Sequence, residues 1–300
     1  MSIIVQQLIN FLQLGSIYAL TAISFSMVYG IAGLVNFAHG SVFGLSMYVL
    51  FFVSTLLFQV MESTWLVYVI ALTASCVVTS LVALLIEQIA YRPLRKAPKV
   101  TVVVSSVGVG MVLQYLILNT AGSKALRMPK LIPDIKFALL GVNIPLFKIL
   151  IILIAIVTMI ILNLIVKKTR LGTAMRAVSQ DTVAAGFMGI ATSRVISASF
   201  VFGAVLAAIA GSLYGTAYSI FAYNVGEQII WWSFIAAVLG GIGSIRGAVL
   251  GGFIISAISI LAPMVLPVSS YKDIVAFAVM ILVLLIKPTG LLGKKVNEKI

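Results

Sequence analysis

The sequence predicts an all-α, polytopic transmembrane helix bundle of about 8–10 spans, some of them broken. Three observations carry this. The chain of 300 residues is 62% hydrophobic and only 9% charged, with a mean hydropathy of +1.22. Soluble domains carry about 25% charged residues, so this chain has too little polar surface to face water on every side. Its apolar residues come in continuous runs, the pattern of spanning helices; the strands of a membrane barrel alternate instead. Its 20 Lys and Arg, against 7 Asp and Glu, sit in short connections between those runs, where orientation signals lie.

Nine apolar segments follow in order: residues 5–29, 41–60, 65–90, 100–121, 147–166, 195–218, 229–241, 247–266 and 274–286. The first has no Lys or Arg before it. It lacks the charged start of a secretory signal and is expected to stay as the first helix. It carries Gln13, Ser16, Tyr18, Thr21, Ser24 and Ser26, which demand a polar interior. Several later segments are short or interrupted by glycine. No linker divides the chain, so residues 1–300 are expected to form one transmembrane domain. Trp231, Trp232 and Tyr271 suit an interfacial aromatic belt, and Asp273 suits a helix start. Glu87 and Glu227 read as interfacial residues.

Positive charge sets the expected orientation. Arg92, Arg95, Lys96 and Lys99 mark one connection, and Lys167, Lys168, Arg170, Arg176 and Arg194 a second. Lys287, Lys294, Lys295 and Lys299 mark the C-terminal tail, and Arg246 joins them. The opposite side holds Lys124, Arg127, Lys130, Lys136, Lys148 and Lys272. The richer side is expected to be cytoplasmic, with the C-terminus inside and the N-terminus outside. The basic stretch 122–145 is the awkward member of the outer side. It would move inside if segment 100–121 were re-entrant.

Several function classes are excluded or disfavoured. There is no G-x-x-x-x-G-K-[ST], so the chain lacks a P-loop for ATP. One His and one Cys leave no basis for a His/Cys metal site or an internal disulfide. Intramembrane carboxylates are too scarce for a proton relay, which argues against an ion-coupled carrier. The basic balance follows the loops and does not point to nucleic acid.

Three stretches carry more information. Residues 30–44 pack Gly30, Gly33, Asn36, His39, Gly40, Ser41 and Gly44 between two apolar runs. Broken backbone at membrane depth survives only against protein or a water-filled path. Asn36 and His39, with Tyr18 of the first run, are therefore candidates for lining a translocation path. An ordinary interfacial connection with a solvated His39 fits the pattern too. Gly243, Gly247 and Gly251 have G-x-x-x-G spacing and are expected on one helical face for close packing, with Arg246 snorkelling to the cytoplasmic surface. The connection 167–194 contains Arg176 and Gln180 at i,i+4, with Thr173, Ala177 and Ala184 able to share a face. Asp181 lies in its middle, and Gly186 and Gly189 punctuate its end. A short amphipathic helix on the cytoplasmic surface, docking a partner protein, is expected there.

At these residues the sequence resembles the bacterial branched-chain amino acid ABC transporter permeases. The resemblance runs through Gly-Ser-Ile-Tyr-Ala-Leu at 15–20, Met-Val-Tyr-Gly at 27–30, Asn-Phe-Ala-His-Gly at 36–40 and the connection from Arg176 to Ile190. It closes with Leu-Gly-Gly-Ile-Gly-Ser-Ile at 239–245, Tyr-Lys-Asp at 271–273 and Lys-Pro-Thr-Gly at 287–290. The family often has Pro where Arg246 stands. The match is to the shorter of two paired permeases and implies the ABC importer permease fold in the bacterial inner membrane.

It also implies partners: a second homologous permease, two ATP-binding subunits and a periplasmic or lipid-anchored substrate-binding protein. ATP and Mg would be bound by those ATPases, leaving this chain without a cofactor and without enzymatic activity of its own. Arg176, Ala177, Asp181, Ala184, Ala185 and Gly189 would form the ATPase contact. The same machinery carrying urea, amides or other amino acids is the alternative cargo reading.

Overall fold

The computed structural model describes residues 2–95, 97–139, 142–265, 268 and 271–293. Lys96, Lys294, Lys295 and Lys299 of the predicted orientation signals lie outside them, as does residue 266 at the end of the eighth segment.

Each of the nine predicted segments coincides with a helix of 16 residues or more. These are α1 (Ser2–Ala32), α2 (His39–Leu57), α3 (Thr64–Ile86), α4 (Lys99–Ala121) and α5 (Leu146–Lys168), followed after two short helices by α8 (Thr192–Tyr218), α9 (Val225–Gly240), α10 (Ile245–Val265) and α11 (Tyr271–Ile286). The short helices are α6 (Arg170–Gln180) and α7 (Thr182–Phe187). Among the described residues, seven helices are long and apolar enough to cross a membrane, whereas α9 and α11 have 16 residues each, about 24 Å of rise. The chain is a multi-pass helical membrane protein.

Between α4 and α5 the fold adds strands that no periodicity announced. β1 (Leu126–Arg127) pairs with β4 (Ile220–Phe221), and β2 (Lys136–Leu139) forms a hairpin with β3 (Val142–Pro145). The β1–β4 ladder ties the 122–145 stretch to the end of α8. The hairpin, the starts of α5 and α11 and the end of α8 therefore share one end of the bundle, called here the hairpin end. The opposite end carries α6, α7, the α3–α4 connection and the α9–α10 turn. The described cations divide between these ends as the sequence predicts.

α1 is the central helix, packed against α5, α8, α9 and α10. Its polar residues are buried among those neighbours. Thr21 Oγ1 donates to its own helix at Tyr18 O (3.0 Å), Ser24 Oγ donates to Gly203 O on α8 (2.6 Å), and Ser26 Oγ accepts from Gly243 N (2.7 Å). Buried away from bulk solvent, each hydroxyl either finds such a partner or costs about 1–3 kcal/mol. α3, α4 and α5 turn much of their apolar surface outward, as lipid-facing helices do.

Three sequence expectations are corrected by this packing. Glu87 is not interfacial: it is completely buried, inside a π-helical turn at Glu87–Tyr91 that ends α3. Trp232 is buried and stacked on Tyr18, with ring centroids 6.0 Å apart and an interplanar angle of 6°, so it is no belt residue. Gly243 does not share a helical face with Gly247 and Gly251. It lies in the turn before α10 with φ +86, a left-handed conformation that glycine adopts at low cost. Gly247 and Gly251 are in α10 and do set a close approach. A Cβ would stand 2.2 Å from Gly240 O at the first and 1.9 Å from Ala236 O at the second. Arg246 is exposed in the first turn of α10.

Candidate functional site

The chain breaks inside the bundle between α1 and α2. Gly33 ends α1 with φ +67, and its N–H returns to Tyr29 O at 2.8 Å. Non-helical residues then lead to His39, where α2 begins beside Ser24 and Gly203. Ser24 stands eight residues before the end of α1, about 12 Å of rise into the bundle. α9 begins at the same level: a Cβ on Gly226 would meet Gly40 O at 2.1 Å, and one on Gly40 would meet Gly226 O at 2.4 Å. To reach that level the chain folds back from the end of α8 through Phe221, which is buried against Tyr48 (5.0 Å) and Phe51 (5.9 Å). Two helices thus start within the bundle, back to back, where only paired glycines leave room for the backbones.

The side chains of the break are held by neighbours. His39 Nε2 shares a 2.5 Å hydrogen bond with Ser24 Oγ. Asn36 Oδ1 accepts from Tyr91 OH at 2.6 Å, and Phe37 N–H donates to Ser106 Oγ at 3.2 Å. Asn36 and His39 are buried; Asn36 ties the break to the π-helical turn, Phe37 to α4, and His39 to α1 beside α8. They do not line the cavities described below.

Tyr91 belongs to the π-helical turn, and this turn connects to the α6–α7 end. Glu87 forms an ion pair with Arg95 and accepts from Ser197 Oγ on α8 at 2.7 Å; Arg95 in turn donates to Ser193 Oγ at 3.2 Å. The π-helical turn thus joins two polar contacts, the Ser193–Arg95–Glu87–Ser197 cluster at the first turns of α8 and the Tyr91–Asn36 pair at the break. Sequence reasoning missed it. The available signal was a lone Glu closing an apolar run with Arg eight residues later.

The 167–194 connection forms two helices, not one, because Asp181 interrupts them. Its backbone is extended (φ -158, ψ 108), its N–H ends α6 on Ala177 O, and its Oδ1 caps α7 by accepting from Val183 N and Ala184 N, both at 2.9 Å. One residue stops one helix and starts the next, since a short carboxylate competes well for free N–H groups at a helix start. Thr173 and Ala177, four residues apart in α6, keep their common face, whereas Ala184 lies on α7 and does not join it. α6 is pinned to α5: Arg176 donates to Val166 O, and Gly172 packs so tightly that a Cβ would lie 2.3 Å from that same oxygen. Ala185 is buried while Ala184 is exposed. Gly189 closes the unit with φ +83. Val183, Phe187 and Met188 project outward, the last two 87% and 83% exposed.

At the hairpin end, α1, α5, α8, α9, α10 and α11 enclose a cavity of about 430 Å³. Tyr18 lines it, with Asn10, Gln13, Lys148, Trp232 and Lys272 among its neighbours. Of the predicted path residues, Tyr18 reaches a cavity, and Lys148, Trp232 and Lys272 join it from segments to which no chemistry was assigned. A second cavity, about 310 Å³, shares Gln228 and Trp232 with the first and is lined by Trp231, Ile235, Asp273 and Phe277 as well.

A family model described as the branched-chain amino acid transport system / permease component matches residues 7–284. The chain is 40% identical over 300 residues, covering 98% of it and 97% of the relative, to the high-affinity branched-chain amino acid transport system permease protein BraD of Pseudomonas aeruginosa. It is 37% identical, with the same coverage, to the permease proteins LivH of Escherichia coli K12 and Salmonella typhimurium, which carry the same description. Buried helix starts, glycine-mediated packing and a full-length match agree, and the chain belongs to the branched-chain amino acid transport system permease family.

Proposed function

We propose that this chain is the membrane-spanning permease subunit of an ATP-driven importer of branched-chain amino acids in the bacterial inner membrane. Identity of 37% and 40% across nearly the whole length of permeases so described carries this reading. The hairpin end would face outward and receive cargo from a substrate-binding protein. The cation-rich α6–α7 end would be cytoplasmic, placing the N-terminus outside and the C-terminus inside. A second homologous permease would complete the path, and two ATP-binding subunits, holding ATP and Mg, would supply the energy that this chain cannot.

The coupling element in this reading is the α6–α7 unit. A docking surface needs exposed apolar anchors on a rigid support. Phe187 and Met188 supply the anchors, and the double cap at Asp181 with the Arg176 and Gly172 contacts to α5 supplies the support. Movement of α7 reaches α8 through Gly189–Ala191 and then the α1–α2 break through Ser197, Glu87, Tyr91 and Asn36. A ligand or nucleotide shifts the balance between outward-open and inward-open states only by preferring one of them.

The test is uptake of labelled leucine into proteoliposomes holding the complete complex, with binding protein outside and ATP inside. Uptake that requires every component, and that disappears with release of the ATPases in Phe187→Asp, is the expected result. ATP hydrolysis without leucine entry would reject the cargo, and leucine entry without ATP or partners would reject the importer.

A further inference from the structure

We propose that the cavity at the hairpin end is a recognition site for an aliphatic amino acid, in which Lys148 and Lys272 hold the carboxylate and the Tyr18–Trp232 stack receives the apolar side chain. The proposal rests on the importer reading and names where that cargo is first held.

Charge carries the argument. Lys148, in the first turn of α5, donates to the neutral Asn10 Oδ1 at 2.5 Å. Lys272, in the first turn of α11, lies over the Trp232 ring at 5.7 Å from its centroid. Both line the cavity, and its lining contains no Asp or Glu. Among the described residues the ion pairs are Glu87–Arg95 and Lys130–Asp134, so neither cavity lysine has a carboxylate partner. Asp273, beside Lys272 in sequence, lines the adjoining cavity that shares Trp232 and Gln228, and its carboxylate lies within electrostatic reach of Tyr18. Two ammonium groups facing one recess of low dielectric repel each other, and an anion between them relieves the repulsion.

Shape narrows the anion. The cavity volume of about 430 Å³ lies in the range of small-molecule sites, about 300–1,000 Å³. Beside the lysines it offers a flat aromatic wall, Tyr18 on Trp232, and aliphatic surface from Leu14, Ile229 and Ile260. It also offers polar groups beside that wall, the Ser259 and Tyr18 hydroxyls, which lie next to each other. A site for inorganic phosphate needs no such apolar half. A carboxylate joined to a branched aliphatic chain uses both halves, and the α-ammonium of such an amino acid turns from the lysines toward the Asp273 side of the Tyr18–Trp232 wall.

The experiment uses the assembled permease–ATPase complex without binding protein, so that selection by that protein cannot mask the site. Leucine binding is followed by equilibrium dialysis and by ligand-dependent thermal stabilisation, beside leucinol, in which an alcohol replaces the carboxylate. Expected are saturable leucine binding, at least tenfold weaker leucinol binding, and at least tenfold weaker leucine binding in Lys148→Gln/Lys272→Gln. Lys148→Arg/Lys272→Arg should restore it, and size-exclusion elution of each variant reports folding. Equal binding of leucinol, or wild-type affinity in a folded double Gln variant, overturns the proposal. So does stabilisation by inorganic phosphate or anionic lipid but not by leucine. If the wild-type complex imports leucine with ATP while the double Gln variant binds normally, the importer stands and this site falls. If leucine binds in the lysine-dependent way but ATP drives no uptake, the site stands and the importer falls.

Discussion

Replacing Arg95 with Ala should be among the most damaging single changes to this fold, and the structure gives the size. Glu87 is completely buried, and its carboxylate has two partners: Arg95 on Oε1 and Ser197 Oγ on Oε2. Arg95→Ala leaves the carboxylate with one neutral donor inside the bundle. Breaking a buried pair in this way costs about 3–5 kcal/mol, or roughly two to four powers of ten in the folded ratio. Glu87→Gln should cost less, about 1.5–3 kcal/mol, the worth of hydrogen bonds to a charged group. The amide still accepts from Ser197, and the Arg95 side chain is 22% exposed and can reach water. The double variant Glu87→Gln/Arg95→Ala strands neither charge, so it should be more stable than Arg95→Ala alone. Unfolding in mixed micelles, followed by tryptophan fluorescence, measures all three. Because Tyr91 sits in the same π-helical turn and holds Asn36, faster hydrogen exchange at residues 33–38 should accompany the loss. Strictly additive costs in the double variant would refute the reasoning, since coupled partners cannot be additive.

Other consequences follow from packing and capping. Gly251→Val should prevent recovery of monodisperse protein, because even a Cβ would stand 1.9 Å from the Ala236 carbonyl oxygen and backbone cannot yield. Gly108→Ala, which meets nothing within 4 Å, should be tolerated in the same expression and gel-filtration assay. Asp181→Ala should cost about 1 kcal/mol through the lost cap of α7 and raise protease sensitivity near 182–188, while Asp181→Asn should keep most of the cap. Ser24→Ala should remove the bond to His39 and the donor to Gly203 O, lowering thermal stability in detergent by about 1–3 kcal/mol. An unchanged melting temperature would show that the break is held in another way.

Much of the architecture was legible in residue order. Continuous apolar runs fix helices because each backbone group in lipid must be satisfied within its own segment, and this local demand marked all nine long helices. The division of cations marked the two ends, since charge avoids the membrane interior wherever it lies in the chain. The glycine-rich stretch at 30–44 marked a break. The sequence also contained the signals that end α6 and begin α7, although the expectation of one helix passed over the capping role of Asp181.

Tertiary structure decided what each polar group does. Whether Glu87 is interfacial or buried depends on Arg95, Ser193 and Ser197 meeting it from other segments, and periodicity carries no information about such meetings. His39 acquires its role from Ser24 and α8, and Trp232 leaves the aromatic belt because Tyr18 lies beneath it. The cavity at the hairpin end draws on residues from Asn10 to Lys272, brought together only by the order in which the helices pack. Solvation by lipid selects helices one at a time and can be read locally; a site is a coincidence of distant side chains, and only the packed bundle defines it.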